Sequence, residues 1–236
     1  MFQSKNKRIT NSFIKKAVSF DPTEIKKYEE LYRDLRSNYK IIKPQKTGLR
    51  LLVISDTHGY LAFGKNRFAN YLDTIGGFDL CVLLGDIHPA ELPIILDCIP
   101  LEMIIGVKGN HDPFTIYSDY GIRDISGKSY KYKGVTFAGI EGSFRYKDAQ
   151  FPSYTQYESL LLAQTLPQAD VLLTHDVMLD NFECEPAHAG LIGITQYIYS
   201  NRVQWHFHGH IHHSYQGQYE NGTNEKSIYL CDYVEI

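Results

Sequence analysis

Five of the chain's 10 histidines fall inside short polar motifs that come directly behind apolar runs. Asp56 and His58 stand in DTH after LRLLVI, and Asp86 ends GD after LCVLL. Asn110, His111 and Asp112 form GNHD after EMIIGV, His175 closes VLLTH, and His210 and His212 lie in GHIH after VQWHF. Asp56 and His58 are two residues apart, so from an extended turn both side chains can face one ion; His210 and His212 repeat the spacing. With Asp86, Asn110 and His175 the set offers imidazole nitrogens, carboxylates and one amide oxygen, and no thiolate. Mixed nitrogen and oxygen donors suit Mn, Fe, Zn, Co or Ni, whereas a structural zinc site draws on cysteines. Seven donors exceed what one four-coordinate ion uses. They fit two ions about 3.5 to 4 Å apart that share a carboxylate, an arrangement suited to hydrolysis.

A lone aspartate or histidine at a strand end is usually a capping or core residue, so the inference rests on convergence. The apolar runs end at Ile54, Leu84, Val107, Ile140, Thr174 and Phe207, and a last one, SIYLCDYV, lies near the C-terminus. Short apolar runs separated by helical or loop segments are the rhythm of an α/β protein, and seven strands are enough for two packed sheets. Carboxyl ends of strands share one crevice in such a fold, which brings donors together that are far apart in sequence. Helices are expected over 65–75, 90–98, 153–166 and 187–200.

Residues 1–47 differ in character and are expected to form a helical extension to a main domain over 48–236. In FDPTEIKKYEELYRDLRSNY, Asp21 can cap a helix, Pro22 fits its first position and Glu24 completes a capping box. Ile25, Tyr28, Leu31, Tyr32, Leu35 and Tyr39 make one apolar stripe. Packing on the main domain is the expected use of that stripe; a dimer contact or a lid are the alternatives.

Composition removes several classes of function. The chain of 236 residues carries 24 Lys and Arg against 27 Asp and Glu, a net charge of −3, so no broad basic surface for duplex nucleic acid is expected. Cys81, Cys98, Cys184 and Cys231 form no CxxC pair, which reads as a reduced, cytoplasmic protein. The longest apolar stretch, 94–107, is broken by Asp97, Pro100 and Glu102 and is not expected to cross a bilayer.

The ordered set DTH, GD, GNHD, H and GHIH resembles the calcineurin-like metallophosphoesterase superfamily, over about Leu49 to Ile236. The resemblance implies a four-layer α/β/β/α sandwich of two mixed sheets. It also implies Asp56, His58 and His212 on one metal, Asn110, His175 and His210 on a second, and Asp86 bridging both. The implied cofactors are two divalent transition-metal ions, from Mn, Fe, Zn or Ni, with Mn favoured. The implied reaction is attack on a phosphate ester by a hydroxide held between them, with His111 over the leaving group as proton donor. A small phosphorylated molecule is the expected substrate, a nucleotide being one candidate, with a phosphodiester favoured over a monoester.

Two departures bear on that expectation. The position that supports the catalytic histidine in many members is Pro89 here, so its orienter is open among Asp112, His88 and Glu91; Asp112 equally suits capping of the next turn. The GDxVDRG arginine of protein phosphatases is absent, which disfavours protein dephosphorylation. A nuclease of the same fold and a non-catalytic protein-binding scaffold are the alternative functions. Specificity is expected in Pro113 to Asp124 and Glu141 to Asp148, with Tyr117, Arg123, Arg145 and Tyr146 as candidates to meet substrate. His88, His188, His206, His208 and His213 are expected to divide between surface and supporting roles.

Overall fold

The computed structural model describes residues 22–61, 65–146, 151–182 and 186–236. In chain order, the first half contains α1 (Pro22–Asn38), β1 (Arg50–Ser55), α2 (Lys65–Thr74), β2 (Leu80–Leu83), α3 (Leu92–Cys98), β3 (Ile104–Gly106), α4 (Ile116–Asp119), β4 (Arg123–Asp124), β5 (Ser129–Tyr132) and β6 (Val135–Ile140). The second contains β7 (Ser143–Phe144), β8 (Ser153–Tyr154), α5 (Gln156–Thr165), β9 (Val171–Thr174), α6 (Ile192–Ser200), β10 (Trp205–His208), β11 (Tyr215–Gln218), β12 (Asn224–Ser227) and β13 (Leu230–Glu235).

Alternation along the strands explains the layers. Leu51 and Val53 of β1 face the opposite way from Leu52 and Ile54, and Leu80 and Val82 of β2 the opposite way from Cys81 and Leu83. A strand that is apolar on both faces needs cover on both. The first sheet, ordered β13-β1-β2-β3-β4, is parallel except for β13. The second, ordered β11-β12-β10-β9-β6-β5, is parallel in its middle, with β5 and β11 antiparallel at the edges. Leu51, Val53, Val82 and Ile105 meet Phe137, Val171, Leu173 and Phe207 between the sheets. Leu52, Ile54 and Leu83 are covered by Phe68, Leu92, Ile95 and Ile116 from helices on the first sheet's outer face. Ala138, Ile140 and Leu172 are covered by Ala163, Ile192 and Ile198 on the second's. The fold is the four-layer α/β/β/α sandwich of two mixed sheets.

The stripe on α1 packs on this last layer. Tyr28 is buried there, Leu31, Tyr32, Leu35 and Tyr39 are partly buried against the same cluster, and the Tyr39 and Tyr199 rings lie 5.5 Å apart. Ile25 is partly buried outside that cluster, and the Asp21 cap lies outside the described residues. No helix among the described residues is long and apolar enough to cross a membrane.

All seven expected strands are present, with three local differences. The segment expected as a helix over 153–166 begins helically only at Gln156, because Thr155 and Glu158 form a capping box: the Glu158 amide donates to Thr155 Oγ1 (3.2 Å) and the Thr155 amide to Glu158 Oε2 (2.7 Å). The 187–200 segment starts in a 3-10 turn (Pro186–His188) and becomes α-helical at Ile192, after Gly190 at φ 77°. The run SIYLCDYV is two strands: Ser227 ends β12 in the second sheet and Leu230, at φ 68°, starts β13 in the first. The chain therefore changes sheets at 228–229, close behind the GHIH loop.

Candidate metal centre

The five polar motifs follow β1, β2, β3, β9 and β10, all parallel within their sheets, so their loops gather at one end of the sandwich. Backbone bonds lace them together. The Asp56 amide donates to Gly85 O (3.0 Å), Thr57 to Asp86 O (3.1 Å) and Gly209 to His175 O (3.0 Å). Among the described residues, seven that are not glycine adopt positive φ. Five of these are Asp56, His58, Asp86, His210 and His212, at 42° to 67°. Left-handed backbone at a residue with a side chain costs on the order of 1 kcal/mol or more, and persists where the surroundings over-determine it.

Each aspartate is held by one oxygen and bare at the other. Asp56 Oδ2 accepts from Ser55 Oγ (2.6 Å) and the His210 amide (2.8 Å); Asp86 Oδ1 accepts from the His111 amide (2.8 Å). Asp56 Oδ1 and Asp86 Oδ2 are buried with no hydrogen-bond partner. A buried, unpaired carboxylate oxygen is costly unless a cation meets it. The imidazoles stand around these two atoms. His212 Nε2 is 3.3 Å and His58 Nε2 3.9 Å from Asp56 Oδ1, and the two nitrogens are 3.1 Å from each other. His58 Nε2 is also 3.9 Å from Asp86 Oδ2, which ties the two aspartates into one cluster. His175 Nε2 lies 3.5 Å from Asp86 Oδ2 and 2.9 Å from Asn110 Oδ1. Asp56, His58 and His212, and separately Asp56, Asp86 and His175, are each close enough to share an ion.

Tautomers follow from the outer contacts. His175 Nδ1 lies 2.8 Å from Leu84 O and donates to it, so Nε2 is the ring nitrogen that faces Asp86. His210 Nε2 donates to Ala187 O at 2.6 Å, which leaves the lone pair on Nδ1. Burial and the neighbouring His175 push the His210 pKa down to about 3, so this ring is neutral. Burial disfavours a charged His175, yet Asp86 and then Asp56 draw its pKa up to about 10. Burial likewise opposes ionisation of Asp86, but His175 and the His111 amide hold its carboxyl well below the usual range. Asp86 and His175 thus favour each other's charged forms.

Other expected residues take different places. His111 is exposed, its ring 5.9 Å from that of His58. Asp112 is buried, and its Oδ2 accepts from the amides of Asp86 (2.8 Å) and Gly109 (2.7 Å), so it joins the GD and GNHD loops. Glu91, fully buried, accepts from the Thr57 hydroxyl and from the amides of Gly59 (3.0 Å) and Leu61, which clamps the DTH loop. His88 Nδ1 accepts from the Ala90 amide at 3.2 Å. His206 and His208 are buried in a network with Thr174, Tyr219, Tyr215 and Glu225, while His188 is exposed with its ring 5.3 Å from that of His210.

The expected specificity residues are engaged by the protein itself. Tyr117 is buried and donates to Val107 O (2.7 Å); Arg145 donates to Ser153 O (2.6 Å) and pairs with Glu158; Arg123 lies over the Tyr130 ring. Tyr146 is partly buried against the second sheet's outer layer. Residues 147–148 lie outside the described residues. Sequence reading missed the clamping by Glu91 and the Ser55 hydroxyl on Asp56. Ser55 immediately precedes the DTH motif, which was its one available signal.

A family model described as the calcineurin-like phosphoesterase superfamily domain matches residues 49–228. No curated protein matches the chain in sequence. Among solved structures, TT1561 of Thermus thermophilus is 15% identical, with a TM-score of 0.52 over 78% of this chain and 89% of that one. The phosphopantetheinyl hydrolase of Mycobacterium tuberculosis is 14% identical, with a TM-score of 0.51 over 79% and 91%. A dimetal phosphatase of Danio rerio is 9% identical, with a TM-score of 0.51 over 82% and 93%. At these identities the likeness is one of fold.

Proposed function

This chain belongs to the calcineurin-like phosphoesterase superfamily, and we propose that it is a binuclear metal-dependent hydrolase of small phosphate esters, with a phosphodiester, such as one of a nucleotide, as its preferred substrate. The observation that carries this reading is the pair of buried, unpartnered oxygens, Asp56 Oδ1 and Asp86 Oδ2, ringed by His58, His212 and His175. Asp56, His58 and His212 would hold one ion and Asn110, His175 and His210 the other, with Asp86 shared. The donors, four histidines, two carboxylates and one amide, fit manganese or another divalent transition metal. Two such ions would supply the charge that stabilises phosphoryl oxygens and brings the pKa of water toward neutrality.

The protein's own residues divide the remaining work. Asp86 and Asp56 offset the positive charge, and their positions are fixed by the His111 amide, the His210 amide and Ser55. The exposed His111 imidazole stands at the rim beside His58, where it would bind a phosphoryl oxygen and pass a proton to the departing oxygen. The side chain of His212 is 50% exposed and that of His58 33%, against 0% for His175. One half of the cluster is therefore open, which leaves room for both ester groups of a diester.

The test is hydrolysis of an aryl phosphodiester beside the matching monoester, with protein stripped and reloaded with Mn, Ni, Zn or Mg. Metal-dependent turnover with the diester faster is expected. A faster monoester would overturn the diester preference. Absence of both bound metal and turnover would overturn the hydrolase and favour a protein-binding scaffold.

A further inference from the structure

We infer that Lys108 and Glu141 form a buried rung between the two sheets, which positions Asn110 against His175 and so sets the affinity of the ion site that these two residues share. This rests on the binuclear reading above and assigns the part of the fold that shapes one of its two sites.

Asn110 and His175 come from different sheets. Asn110 follows β3 of the first and His175 follows β9 of the second, yet Asn110 Oδ1 and His175 Nε2 lie 2.9 Å apart. Two residues before Asn110, Lys108 is buried at the same end of the sandwich. Its Nζ pairs with Glu141 Oε2 at 2.6 Å and with Asp124 Oδ2. Glu141 follows β6 in the second sheet, and its neighbour Ile140 pairs with Thr174 and accepts from the His175 amide (3.3 Å). The Tyr154 hydroxyl donates to Glu141 Oε1 (2.9 Å), which fixes the carboxylate. A backbone bond adds a second hold, from the Gly142 amide to Lys108 O (2.7 Å). The contacts close a circuit that runs from Asn110 back to Lys108, across to Glu141 and along Ile140 to His175.

The two carboxylates on Lys108 are not equivalent. Asp124 ends β4, which lies beside β3 in the first sheet, so its pair with Lys108 stays within one sheet. The pair with Glu141 crosses to the other. Breaking either pair destabilises, because it leaves buried charge uncompensated. Of the two, the crossing pair is the one that holds Asn110 at its distance from His175.

The experiment titrates Mn(II) by calorimetry into metal-stripped wild type, Asn110→Ala, Glu141→Gln and Asp124→Asn, with thermal unfolding of each protein. Asn110→Ala identifies the binding step that belongs to the shared site. Glu141→Gln keeps the side-chain shape and removes the charge; it should weaken that same step about 10-fold or more, the range for groups that support metal ligands, and leave the other step unchanged. Asp124→Asn should lower the unfolding midpoint as well but keep both steps at wild-type affinity, although it removes a partner of the same lysine. Equal effects of the two carboxylate variants on that step, no effect included, would overturn the rung and leave the binuclear reading standing. An Asn110→Ala protein that binds as wild type does would overturn it too. A wild type that takes up one ion or none fails the binuclear reading itself, and the rung with it.

Discussion

Asp56 and Asp86 show what sequence reading reaches at the scale of the residue and where it stops. Donor type and position behind the apolar runs were enough to nominate seven candidate ligands, because the chemistry of an ion demands those atoms. Which oxygen of each carboxylate is held and which is bare depends on the Ser55 hydroxyl and the amides of His111 and His210, and no side-chain pattern encodes a backbone amide. Asp112 makes the same point, since its burial under two amides gives it a positioning role that its place in GNHD did not distinguish from orientation of His111. The His111 imidazole, unlike its amide, meets the cluster only at the rim. His111→Ala should therefore leave metal content near two while turnover falls about 100-fold to 10,000-fold, the range for loss of a general acid. Loss of metal in that variant would make His111 a ligand.

The elements set the close approach of the loops. A Cβ on Gly109 would collide with Asp86 Oδ1 and with the Asp86 amide, so the GNHD loop can pass the GD loop only as glycine. Gly109→Ala should displace Asp86 and lower metal content, measured by elemental analysis, although it alters no candidate ligand; full metal content would show that the loops have slack. The outer face of β10 makes a separate prediction. Burial favours a protonated Glu225, but His208 and the hydroxyls of Tyr215 and Tyr219 outweigh it and hold the pKa down to about 2. A carboxyl whose folded-state pKa is depressed stabilises above its unfolded value and loses that contribution as pH falls. Unfolding midpoints of metal-free protein should thus decline between about pH 4.5 and 2, and Glu225→Gln should be less stable at neutral pH and flatter across that window. The apolar strands were legible because burial on both faces forces continuous hydrophobic runs. Edge strands such as Ser129–Tyr132 and Tyr215–Gln218, half exposed along their length, carry no such run. The split of SIYLCDYV escaped because alternation continues across 228–229, while a leucine at positive φ gives no sequence signal.

At the scale of the molecule, three apolar layers hold two sheets with their carboxyl ends together, and α1 adds cover to the far side of the second sheet. Its tyrosine-rich stripe was readable as amphipathic, but which surface it covers was not, because the Ala163, Ile192 and Ile198 patch is assembled from separate helices. Tyr28→Ala should cost about 3 kcal/mol by removing a buried aromatic ring. Metal stoichiometry should stay unchanged, because this interface lies on the outer face of the second sheet and the cluster at its strand ends. Denaturant unfolding and elemental analysis on the same variant check both halves; coupled loss of metal would make α1 part of the site.

The central claim is that Asp86 joins two ions in one centre, and metal counting by native mass spectrometry on wild type and Asp86→Asn tests it most directly. Two ions in the wild type, with one or none in the variant, are predicted, since the substitution removes the charge at the bare oxygen between His58 and His175. A wild type that binds a single ion at saturation, or an Asp86→Asn protein that still holds two, would contradict the account.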